Sequence, residues 1–88
     1  MKTEKKQSFA RAKAVAAMAA AYREEQRKLH DLTLTAQNAA RRGEAAEYVR
    51  ADEAATLQQE RLDAMMKMVA ALGIETEEFM TAVNQPVT

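Results

Sequence analysis

The sequence predicts an all-α protein: a long antiparallel helical hairpin with helices over about residues 8–41 and 45–72, followed by a short C-terminal helix over about 77–83. Three observations carry that reading. Only two glycines and one proline occur in 88 residues rich in Ala, Glu, Gln, Lys and Arg, a composition that favours helix and lacks the β-branched and aromatic content of a sheet. Apolar residues recur three and four apart on both sides of Gly43, so each flank offers one face to a partner helix. Residues 1–42 carry ten basic and four acidic side chains, and residues 43–88 carry three basic and nine acidic, which sets +6 against −6 in a chain of zero net charge. Opposite charges favour the two helices side by side, within one hairpin or between two chains.

In the first helix, Val15, Met18, Tyr22, Leu29, Leu32, Ala36 and Ala39 form the apolar stripe. Arg41 and Arg42 suit the negative end of the helix dipole, and Gly43 takes the left-handed conformation that ends a helix. In the second helix the seam is Tyr48, Ala51, Ala55, Leu62, Met65, Val69 and Leu72, interrupted by polar Gln58. Gly73 followed by Ile74 has the form of a Schellman ending. Thr76 is the expected N-cap of the third helix, with Glu77 and Glu78 in its first turn, and Asn84-Gln85-Pro86 ends it. The whole chain, 1–88, reads as one domain, with residues 1–7 as a basic arm and 84–88 as a tail.

If Gly43 is the hinge, residues facing each other across the hairpin have numbers summing to about 86. This rule sets the alanine run Ala14 to Ala21 against Met65, Met66, Met68, Val69 and Leu72, so that small side chains face large ones. It also sets Glu25 opposite Arg61 with Gln58 nearby, a polar layer that would fix register. At about 1.5 Å per residue, a first helix begun near Thr3 overhangs the second by roughly 15–20 Å. The expectation is that the third helix packs back across this overhang with Phe79 over Phe9; the alternative is a free basic arm.

A signal peptide is a poor fit to Lys2, Lys5, Lys6, Arg11, Lys13 and the uncharged Ala14 to Ala21. That run is short and contains no Leu, Ile or Phe. No stretch approaches the roughly 20 apolar residues of a membrane span, and a cytoplasmic location is expected, with no membrane partner. No cysteine is present, and the single histidine, His30, has Arg27 rather than a glutamate three residues before it. Disulfides, thiol nucleophiles and the di-iron Glu-x-x-His motif are therefore excluded. Ser8 and His30 lie about six helical turns apart, too far for a triad. The carboxylates Glu47, Asp52, Glu53, Glu60 and Asp63 read as a solvated acidic face, and no glycine-rich phosphate loop occurs. The expectation is a non-enzymatic chain without cofactor or metal.

The end of the second helix is apolar almost all round, more than one neighbouring helix covers. Either a second copy completes a four-helix bundle or another protein docks there. The sequence thus predicts a protein-binding adaptor, chaperone or inhibitor, whose docking surface is Met65, Met66, Met68, Val69, Leu72, Ile74 and Phe79. The alternative is a small dimeric nucleic-acid-binding regulator using Lys6, Lys13, Arg23, Arg27, Lys28, Arg41 and Arg42 on the basic face of the first helix.

Overall fold

The computed structural model describes residues 2–85, with side chains from Phe9 onward. Three helices follow in order: α1 (Lys2–Arg41), α2 (Ala45–Ala71) and α3 (Thr76–Val83). Helix α1 begins at Lys2 rather than near Ser8, so the backbone of the expected arm continues the helix. The side chain of Lys6 and the tail beyond Gln85 lie outside the described residues.

Both turns are built by glycines in the left-handed region, Gly43 at φ 72° and Gly73 at φ 78°. At the first, Glu44 N–H donates to Ala39 O (2.9 Å) and Gly43 N–H to Ala40 O (3.1 Å). At the second, Ile74 N–H donates to Val69 O (3.2 Å) and Gly73 N–H to Ala70 O (3.0 Å). These are the paired bonds of the Schellman motif, and they satisfy carbonyls that a helix end otherwise leaves without a partner. Helix α3 starts one residue earlier than expected: Glu75 is its N-cap, with no side-chain capping bond, and Thr76 is already helical. The Thr81 hydroxyl instead donates to Glu77 O (2.8 Å) within the helix.

Helices α1 and α2 form the antiparallel hairpin, and α3 returns along α1 in the same direction. Arg11 holds Glu78 near the start of α3, and Arg23 donates to Gln85 O (3.0 Å) past its end. The Cα envelope is 63 × 28 × 16 Å, a slab one helix layer thick over much of its length. Among the described residues, no helix is long and apolar enough to cross a membrane.

The main core lies at the α3 end of the slab. Val15, Ala19, Tyr22, Leu62, Val69, Ile74, Phe79 and Val83 are buried together, flanked by half-buried Met18, Leu29, Met65, Met66, Met80 and Ala82. Phe79 is wholly enclosed, its ring edge-on to Tyr22 with centroids 5.4 Å apart. The expected cover of Phe79 over Phe9 is not formed; Phe9 is 68% exposed beside the Lys13 ammonium, which stands 5.7 Å from its ring centroid. Phe79 lies between three and four helical turns further along α1, because α3 runs parallel to it and reaches the large Tyr22 ring. At the turn end, the core narrows to Ala36, Ala39 and Ala51. Tyr48, expected in the seam, is 41% exposed, since alanines this small bring the helices together without it.

Candidate protein-binding face

Helical geometry gives the slab two broad faces with different histories. On one, α3 packs over Val15 and leaves beside it a groove of about 500 Å3 lined by exposed Ala12 and Ala16 of α1 and by Glu75, Glu77, Glu78 and Thr81. The other face carries Ala14, Met18 and Ala21 from α1 and Met65, Met68 and the C-cap Leu72 from α2, positions three, four or seven apart that share a side of each helix. No described residue covers it. Met68 and Leu72 are 61% and 60% exposed, Met18 and Met65 are half-buried, and Ala14 and Ala21 are exposed. Farther along the same face lies a shallower groove of about 310 Å3, lined by Leu32, Thr35, Glu47, Arg50, Ala51 and Ala54. Leu57, on the solvent side of α2, is 62% exposed beside it.

The expected docking set is therefore divided by α3. Val69, Ile74 and Phe79 form part of the chain's own core, at 2%, 6% and 0% exposure, and cannot reach a partner without opening the fold. Met66 is half-buried against that core. Met68 and Leu72, with the flank of Met65, remain outward. Sequence reasoning missed the α1 half of the surface, Ala14, Met18 and Ala21. Their membership required knowing which side of α1 the third helix occupies.

The centre of the open face is polar. Buried Gln58 donates from Nε2 to Glu25 O (2.9 Å) and to Glu25 Oε2. The hydrogen bond from Gln58 holds the Glu25 carboxyl below the usual glutamate range against the opposing effect of desolvation, and Lys28 Nζ, 3.5 Å away, adds to it. Arg61, the expected partner of Glu25, is exposed and makes no ion pair with a described residue of the chain. The polar layer exists, but the amide fills the place expected for the guanidinium because position 58 points into the seam and position 61 out of it.

The basic residues do not converge. Arg11 is engaged by Glu78, with Nη1 to Oε1 at 2.6 Å, which raises the affinity of the guanidinium for its proton. Arg27 pairs with Glu24 (2.5 Å), Lys28 with Glu25, and Arg42 with Glu44 (3.2 Å) and Glu47 (3.7 Å). At this turn the neighbouring carboxyls of Glu44 and Glu47 act on each other, so that Glu44 is held below and Glu47 above the usual glutamate range. Arg23 turns toward the end of α3, whereas Lys13 and Arg41 lie about 42 Å apart along α1 at 1.5 Å per residue. His30 is exposed at the edge of a third depression with Tyr22, Gln26 and Thr33. Among the described residues, no group of three or more His, Asp or Glu side chains is placed to hold a metal ion.

No protein-family model, curated protein or solved structure matches this chain.

Proposed function

We propose that the chain is a non-enzymatic protein-binding module, an adaptor, chaperone or inhibitor, that docks through the face opposite α3. The observation that carries this reading is the pair of side chains Met68 and Leu72. Both are more than half exposed, Met68 in the last turn of α2 and Leu72 at its C-cap, next to half-buried Met18 and Met65 and a floor of alanines. A contiguous apolar area of this kind marks an interaction surface, and unbranched methionines adapt to a partner's side chains. The small residues of α1 let another helix approach closely. The surrounding charges orient the partner and set its rate of encounter more than they add affinity. The nucleic-acid alternative finds less support, because Arg27, Lys28 and Arg42 are paired with carboxylates of the same chain, Arg23 turns to the end of α3, and Lys13 and Arg41 stand far apart along α1.

A photo-crosslinking side chain placed at Met68 tests the reading in living cells. The expected result is a small set of discrete adducts with other polypeptides, absent when the same group replaces His30 on the far side. Equal adduct patterns from the two positions would remove the docking face from consideration.

A further inference from the structure

We propose that the occupant of this face in the resting state is a second copy of the chain, related by a two-fold axis parallel to the helices, so that α1 of each copy lies on α2 of the other. The inference rests on the docking reading above and names its partner.

Charge selects this orientation. A two-fold axis running across the helices would stack α1 on α1, basic on basic. An axis parallel to them stacks α1, with nine basic and four acidic residues, on α2, with three basic and five acidic, and leaves every neighbouring pair antiparallel, the arrangement of an up-down four-helix bundle. Shape agrees. Rotation about such an axis preserves height along the bundle, so residues that lie level within the hairpin meet across the interface. Leu72 comes onto Ala14, Met68 onto Met18 and Met65 onto Ala21, so that the exposed large side chains of one copy meet the alanine-rich stripe of the other. At the middle of the face the same rule brings Arg61 level with Glu25 of the second copy. The pairing expected within one chain is then made between two, and the carboxylate that accepts from Gln58 has lone pairs left for it.

Because the chain has no cysteine, single-cysteine variants report the pairing directly, and a chain with one thiol cannot crosslink to itself. Ala21→Cys and Ala64→Cys are exposed, small-residue positions on the open face; His30→Cys and Gln59→Cys lie on the other side. When the two open-face variants are mixed and mildly oxidised, the 21–64 disulfide is expected to exceed both the 21–21 and 64–64 products. The 30–59 mixture should give little product. Light scattering should show twice the monomer mass, falling to the monomer mass in Met68→Glu with its helical circular dichroism unchanged. Predominant 21–21 product, equal crosslinking from 30–59, or a dimer mass that survives Met68→Glu would overturn the proposed pairing. A monomer at all concentrations would overturn it too. The docking reading would still stand in that case if the crosslinker at position 68 captured another polypeptide.

Discussion

At the scale of single residues, Gln58 holds the middle of the hairpin. It is the one buried polar residue among the described side chains, and its amide reaches both the main chain and the carboxylate of Glu25. Gln58→Ala should cost about 1–3 kcal/mol, since it removes two bonds and strands the polar groups they served. Urea unfolding followed by circular dichroism measures this, and the Glu25→Ala/Gln58→Ala double variant should lose less than the two single changes added together. Glu25 also sets a pH dependence. Its carboxyl is held below its ordinary value in the folded chain, so its contribution is present above that value and is lost as pH falls through the depressed folded value. Glu47, raised by Glu44, works in the opposite sense and gains stability as it takes up its proton. Glu25→Gln should therefore differ from the parent in unfolding free energy at neutral pH and converge with it in acid; a constant difference across the range would show that the carboxylate is not the source.

Among the elements, α3 is the smallest and has the largest effect on the others. Eight residues supply Phe79 and Val83 to the core, close one side of α1 and so leave the opposite face open. Its attachment depends on apolar burial more than on the Arg11–Glu78 pair, whose side chains are 47% and 41% exposed and whose attraction water screens. Phe79→Ala should cost about 3–5 kcal/mol, as for other enclosed aromatic side chains. Amide exchange over residues 76–83 should then speed up far more than over residues 51–62. Arg11→Ala should change stability by no more than about 1 kcal/mol. A larger loss from Arg11→Ala than from Phe79→Ala would reverse this ranking.

For the whole molecule, elongation is the governing property. The Cα radius of gyration is 17.2 Å, against about 12 Å for a compact chain of this length. A two-helix layer has no interior of its own beyond one seam, so its apolar side chains divide between that seam, the short α3 and the open face. Face-to-face pairing with helix axes about 10 Å apart raises the radius of gyration only to about 18 Å. Association end to end would raise it far more. Small-angle scattering on the species of doubled mass therefore distinguishes the two, and a value well above 20 Å would exclude the parallel-axis pairing.

How much of this was legible from residue order follows the range of the forces involved. Helices, turns and antiparallel direction were all readable. Their causes lie in residue order itself: the three-and-four spacing of Val15, Met18 and Tyr22 and of Leu62, Met65 and Val69, the left-handed glycines at 43 and 73, and the opposite charge of the two halves. The pairing rule across Gly43 also brought Glu25 to the right level, but it could not choose between Gln58 and Arg61, because that depends on a rotation of α2 about its own axis. The candidate face was read less completely. An all-apolar helix end names its members without saying which of them the chain itself will cover. Val69, Ile74 and Phe79 turned inward, Met68 and Leu72 stayed outward, and Ala14, Met18 and Ala21 joined them, all through the side of α1 on which α3 came to rest. Periodicity along a chain is set by neighbours a turn away, whereas the side a third helix takes is set by packing between residues some sixty positions apart, such as Tyr22 and Phe79.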